Sequence, residues 1–197
     1  MKKLHPWWMA AVAGLALAAC GGGGDGDQSS RTTYGKMVVF GDSLSDVGTY
    51  AVPSIQAMGG GKYTVNAPDA KIWVELLAAQ VGVTAPCAAQ TGLNSVIPSL
   101  PGAAVANHTG CYGYAQGGSR VTNPVGVANS ALLALGDTSG ALGQLTVPVA
   151  TQIANHLAAS GGSFAADDLV TVLAGGNDLF INLAGVSAAV DAAVAAA

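Results

Sequence analysis

Apolar and polar residues fall along the chain in blocks that predict strands and helices in turn. Residues 37–40, MVVF, form a short apolar run stopped by Gly41, the pattern of a strand buried on both faces. From 69 to 81 the apolar positions Ile72, Trp73, Leu76, Leu77 and 79–81 keep helical spacing, with Pro68-Asp69 as the start and Gly82 as the stop. Residues 83–110 are rich in Pro, Gly, Asn and small side chains and read mostly as loop; a second strand is expected near 111–115, ahead of Gly117-Gly118. Residues 122–143 again read as loop, with a short helix around 130–135. A longer helix is predicted from Gln144, where Leu145, Val149, Ile153 and Leu157 recur every four residues, and Gly161-Gly162 ends it. The strongest strand is 169–173, LVTVL, terminated by Gly175-Gly176-Asn177-Asp178; a helix resumes at Leu179 and runs through Ala-rich sequence to Ala197. This alternation predicts an α/β fold with a parallel sheet covered on both faces. Three strands are too few to finish such a sheet and the last helix has no cap, so the sheet is expected to be incomplete at the C-terminus.

The N-terminus follows a different rule. Met1-Lys2-Lys3 is positive, 7–19 is an uninterrupted apolar run, and Leu17-Ala18-Ala19-Cys20 closes it with small residues, the layout of a secretory signal. The run is shorter than the roughly 20 residues a membrane-spanning helix needs. L-A-A-C resembles the bacterial lipobox, which implies acylation of Cys20 as the first residue of the mature chain; the plainer alternative is an ordinary cleaved signal. Residues 21–33, GGGGDGDQSSRTT, are almost free of apolar side chains and read as a flexible tether. The expected organisation is a lipoprotein signal peptide over 1–19, a Gly-rich tether over 20–34 and a globular domain over 35–197. Gly21 rather than Asp after Cys20 points to a lipid-anchored envelope protein of the outer membrane, with secretion as the alternative.

Composition narrows the partners. Of the 197 residues 51% are hydrophobic and only 9% are charged, enough to bury a single core. The formal net charge is −4, or −6 once Lys2 and Lys3 are set aside, and no basic run offers a footprint for nucleic acid. Cys87 and Cys111 match no zinc spacing and have no accompanying histidine, so in an oxidising envelope compartment they are expected to form a disulfide.

Each predicted strand ends in Gly plus polar groups: Gly41-Asp42-Ser43, Gly117-Gly118-Ser119 and Gly175-Gly176-Asn177-Asp178. In doubly wound sheets such ends converge on one crevice. There a serine can act as nucleophile, while glycine N–H groups and an Asn amide can receive an oxyanion. Asp42 and Asp46 read as braces of the first turn, since short carboxylates accept N–H bonds from following residues. No D-x-D-x-D-G spacing supports a metal, and neither G-x-x-x-x-G-K-[ST] nor G-x-G-x-x-G supports a phosphate. No metal and no cofactor is expected.

Residues 40–48, FGDSLSDVG, resemble the first block of the GDSL or SGNH hydrolases, serine esterases and lipases. Residues 113–119, GYAQGGS, are similar to the family's second block, and 175–178, GGND, to its third; 71–77, KIWVELL, resembles the W-x-x-x-L helix of many secreted members. The resemblance spans 38–182 in the family's order, with Gly113 standing where the family often has Asn, which removes a supporting hydrogen bond. It implies a three-layer, flavodoxin-like α/β/α fold and an ester substrate such as a lipid. It further implies Ser43 as nucleophile, and an oxyanion hole made by the N–H of Ser43, the N–H of Gly118 in preference to Gly117, and the Asn177 amide. The base in the family comes from a late D-x-x-H block, and this sequence has none. His5 leaves with the leader, His108 lies in a polar loop, and His156 is expected at the edge of a helix's packed face. The expectation is therefore the N-terminal part of a longer ester hydrolase with its Asp and His beyond residue 197. The alternative is an inactive envelope lipoprotein that binds a glycan or acyl ligand in the same crevice.

Overall fold

A computed structural model describes residues 32–195 apart from Pro68. The expected signal peptide, the expected lipidation at Cys20 and the expected tether up to residue 31 lie outside the described residues. In chain order the elements are β1 (Lys36–Gly41), α1 (Pro53–Gln56), α2 (Trp73–Val81), β2 (Gln90–Leu93), β3 (Ala103–Asn107), 3₁₀ helices at Ser130–Leu135 and Thr138–Leu142, α3 (Val149–Ala159), β4 (Asp168–Leu173) and α4 (Gly176–Ala195).

Alternate side chains of β1 serve two helical layers. Met37 and Val39 pack with Ile72, Val74 and Ala78 of the α2 region on one face. Val38 and Phe40 pack with Val149 and Ile153 of α3 on the other. A strand buried on both faces must be apolar throughout, which is why MVVF carries no alternation. Truncating a side chain such as Phe40 here costs about 3–5 kcal/mol.

β1 is the inner strand. It pairs in parallel with β4, in register from Lys36↔Asp168 to Gly41↔Leu173. On its other side lies 112–116: Val39 N–H donates to Tyr112 C=O (2.9 Å), Tyr114 N–H to Val39 C=O (2.8 Å) and Gln116 N–H to Gly41 C=O (3.2 Å). The segment expected as a strand near 111–115 is not a strand of its own but lies along β1 through an isolated parallel bridge, Val39↔Gly113. Residues 87–89 line its outer edge through Gly113 N–H to Cys87 C=O (2.9 Å) and Ala89 N–H to Gly113 C=O (2.8 Å). Cys87 and Cys111 are disulfide-bonded across this edge.

Four boundaries differ from the sequence pattern. β2 and β3 form an antiparallel hairpin, Gln90↔Asn107 to Leu93↔Ala103, inside the segment expected to be loop. Local composition gave no strand signal; burial of Leu93 with Tyr50 and Val52, and the Gln90 to Asn107 amide bond at 2.9 Å, supply the pairing energy instead. α2 starts at Trp73 because Asp69 sits at φ 62°, outside helical space, and Glu75 caps the Ile72 N–H at 2.9 Å. α3 starts at Val149, behind Pro148 and a left-handed Thr146, so Leu145 belongs to the Tyr50 cluster and not to the helix. α4 starts at Gly176, ahead of the expected Leu179, which moves Asn177 and Asp178 into its first turn.

Candidate active site

Ser43 lies in the turn that follows β1. Asp42 accepts the Leu44 N–H at 3.1 Å, and the Asp42 C=O takes the Ser45 N–H at 3.1 Å. Asp46 is fully buried and accepts three backbone N–H groups, from Gly48 (2.9 Å), Thr49 (2.7 Å) and Gly117 (2.8 Å). Both aspartates therefore brace the turn, and Asp46 also ties it to the second block. Burial pushes both carboxyls above the usual range, with their N–H donors opposing that push. From α2, the Trp73 indole N–H donates to the buried Ser45 hydroxyl at 3.2 Å, so the tryptophan helix reaches the turn that carries Ser43 directly.

The N–H groups of this region divide into two sets. Those of Leu44, Ser45, Gly117 and Ser119 all have protein acceptors. Those of Ser43 and Gly118 have none among the described residues. Ser43 is half-buried and Gly118 buried, and a backbone N–H with no protein acceptor can serve an acceptor from outside the chain. Gly117 is excluded from that role because Asp46 holds its N–H, and its carbonyl accepts the Tyr50 hydroxyl at 2.8 Å. Gly118 has φ +80°, and a Cβ there would stand 2.5 Å from the Val127 carbonyl oxygen. Only glycine fits.

The third block is tied to the second. Gly175, at φ +103°, turns the chain out of β4, and α4 begins at once. Asn177 Nδ2 donates to the Ser119 C=O at 2.7 Å, which fixes its amide beside Gly118 and leaves the second N–H of that nitrogen. Asp178 accepts from Arg120 Nε (3.0 Å) and from the Val121 N–H (2.9 Å). Its carboxylate also sits at the positive end of α4.

Neither histidine of the described residues meets Ser43. His108 pairs with the Thr91 hydroxyl at 2.8 Å on the hairpin. His156 is wholly buried, not at a helix edge: its ring stacks on Phe164 at 5.0 Å and meets Phe40, Tyr112 and Tyr114 edge-on. Its Nδ1 lies 3.4 Å from the Tyr114 hydroxyl, and burial holds its pKa below the usual value. Among the described residues Ser43 Oγ makes no hydrogen bond, and no group of three or more His, Cys, Asp or Glu could hold a metal ion. A cavity of about 620 Å³ opens between the hairpin and α3, lined by Gln90, Asn107, Tyr112, Tyr114 and Asn155; Ser43, Gly118 and Asn177 are not part of it.

One residue central to this arrangement was not singled out by the sequence. Gln152 on α3 is buried and bonds both the N–H and the C=O of Gly41 at 2.9 Å. The available signal was a polar residue at i+3 from Val149, on the face that buries Val149 and His156.

A family model described as GDSL-like Lipase/Acylhydrolase matches residues 37–196. No curated protein matches the chain.

Proposed function

The chain belongs to the GDSL-like Lipase/Acylhydrolase family, and on that premise we propose that it is a serine ester hydrolase working through a Ser43 acyl-enzyme. The observation that carries the reading is the pair of free N–H groups at Ser43 and Gly118, beside an Asn177 amide oriented by Ser119. Ser43 Oγ adds to the ester carbonyl carbon, and the carbonyl electron pair moves onto oxygen. That oxyanion receives the Ser43 and Gly118 N–H groups and the second Asn177 N–H. Collapse expels the alcohol, which leaves with the proton taken from Ser43, and water then releases the acid. Donors fixed before the reaction need no reorganisation as charge develops, and each is worth on the order of 10²–10³ in kcat. The proton needs a base, for which the family pattern is an Asp-x-x-His pair.

The test is a fluorophosphonate probe applied to the protein as its host makes it. Covalent label on Ser43, absent in Ser43→Ala, supports the reading; no label, or equal label in the variant, overturns it. A second reading is an inactive envelope lipoprotein that holds a glycan or acyl ligand in the same crevice. An unlabelled protein that binds such a ligand, with the affinity lost in Gly118→Ala, would establish that reading instead.

We further propose that Cys20 carries a lipid anchor holding the domain at the cell envelope, on the outer membrane, the L-A-A-C ending being its support. Metabolic incorporation of an alkynyl fatty acid, lost in Cys20→Ala, is the expected result. Equal incorporation in both proteins would rule the anchor out.

A further inference from the structure

We propose that Gln152 is a positioning residue for the nucleophile turn, its carboxamide fixing Gly41 so that Ser43 is aimed at the substrate. The inference rests on the reading of Ser43 as nucleophile. At Gly41 the chain leaves β1 at φ +150°, and a Cβ there would stand 2.3 Å from the Leu173 carbonyl oxygen. The strand end is therefore crowded by β4 and has to turn. On its other side the Gly41 C=O accepts the Gln116 N–H at 3.2 Å.

Gln152 supplies the rest. Its Oε1 accepts the Gly41 N–H at 2.9 Å, and its Nε2 donates to the Gly41 C=O at 2.9 Å. A carboxamide offers one acceptor and two donor hydrogens on a planar frame, so it mimics a peptide group and pairs with both polar groups of a single residue. Nε2 also reaches the Val147 C=O (2.9 Å) and the Ser119 Oγ (3.3 Å). The two amide hydrogens are aimed at the Gly41 and Val147 carbonyls, so one buried side chain holds the residue two before Ser43 and, by the longer 3.3 Å approach to Ser119 Oγ, also contacts the residue after Gly118. Ser119 in turn orients Asn177 through its carbonyl at 2.7 Å.

A neighbouring apolar residue would fill the volume but leave the Gly41 N–H without a partner. The turn would then be held at Gly41 only by the Gln116 N–H to Gly41 C=O bond and the Asp42 N–H to Leu173 C=O bond at 3.3 Å, with no Cβ at Gly41 to limit it further. A displacement of the reacting atom by about 1 Å can lower a rate by on the order of 10². Gln152 makes no hydrogen bond to Ser43 Oγ, so it acts through Gly41 and through its bonds to Val147 and Ser119.

The experiment compares phosphonylation rates of Ser43 in the wild-type protein, Gln152→Met and Gln152→Glu, each normalised to the folded fraction by near-ultraviolet circular dichroism. For Gln152→Met the labelling rate is expected to fall by on the order of 10², with ester turnover losing kcat while KM stays within a few-fold. For Gln152→Glu the ionised carboxylate faces the Gly41 and Val147 carbonyls and should be as slow. Its protonated form restores an O–H donor, so the rate should rise as pH falls, a limb that the wild type lacks. Normalised rates within about threefold of wild type in both variants would overturn the role, as would a Gln152→Glu profile parallel to that of the wild type. A wild-type protein that takes no label at all would instead overturn the reading of Ser43, so the two failures are distinguishable.

Discussion

The side-chain amide of Asn177 donates to the backbone carbonyl of Ser119 at 2.7 Å, joining the first turn of α4 to the second glycine block. One of its two N–H groups is used in holding the amide still, and in the proposed mechanism the other donates to the oxyanion. Asn177→Ala is therefore expected to lower kcat for an ester substrate by on the order of 10²–10³ while KM changes little. Stability should fall by only about 1 kcal/mol, the net worth of one hydrogen bond. A thermal scan run beside the kinetics checks both halves. An unchanged kcat would remove Asn177 from the oxyanion hole.

Gly118 and Gly82 share nearly the same backbone conformation, φ +80° and +77°, but not the same surroundings. Around Gly118 a Cβ would meet the Val127 carbonyl oxygen at 2.5 Å and the Gln144 Oε1 at 2.7 Å; around Gly82 it would meet nothing within 4 Å. Gly82→Ala should cost about 1 kcal/mol, from the left-handed conformation alone. Gly118→Ala should cost about 1–3 kcal/mol more from crowding, and should also lose ester turnover because its N–H is displaced. Chemical denaturation of the two variants isolates the crowding term. Equal losses would mean that the Gly118 pocket relaxes freely.

How much of this was legible in the sequence follows from what each signal depends on. β1 could be read because a strand buried on both faces must be continuously apolar, as MVVF is; β4, LVTVL, could be read from its run of apolar and β-branched side chains, although Val170, Val172 and Leu173 stay exposed. The braces Asp42 and Asp46 could be read because their bonds are local, two or three residues long for Leu44, Gly48 and Thr49. The β2–β3 hairpin could not, since QTGL and AAVAN carry no alternation and their pairing rests on Tyr50 and Val52, some 40 residues away. The role of Gln152 could not be read for the same reason: the helical period places it on the buried face of α3, but its partner Gly41 is 111 residues distant. The start of α3 was misplaced because Leu145 fits the helical period, yet packs as part of a loop behind Pro148.

His156 makes stability depend on pH. Its pKa is held below the ordinary 6.5, first by burial among aromatic rings and then by Lys36, with Asp168 pulling the other way. Below 6.5 the unfolded chain binds a proton that the folded one refuses, so stability is lost as pH falls below that value. The raised carboxyls of Asp42 and Asp46 act in the opposite sense, gaining protons in the folded state, but they are common to any His156 variant and cancel in a comparison. The unfolding midpoint of the wild type in guanidinium should therefore drop more between pH 7.5 and 5.5 than that of His156→Phe, which keeps the ring and removes the titration. Parallel slopes for the two proteins would show that His156 titrates normally.

The Cys87–Cys111 disulfide closes a loop of sequence separation 24, and chain entropy alone assigns such a bridge about 3 kcal/mol. That loop contains the β2–β3 hairpin, and it begins in the edge segment 87–89 and leads into the segment 112–116, the two being held otherwise by the Gly113 and Ala89 backbone bonds. The double substitution Cys87→Ala, Cys111→Ala should lower the unfolding midpoint accordingly. Dithiothreitol should do the same to the wild type and nothing to the variant. The effect on Ser43 should be much smaller than that of Gln152→Met, because Gly113 and Gln116 lie at opposite ends of the 112–116 segment and only Gln116 bonds Gly41. Labelling of Ser43 in the folded double variant should thus stay within a few-fold of wild type. A loss as large as that of Gln152→Met would mean that the outer edge of the sheet, and not the carboxamide on α3, holds the nucleophile turn in place.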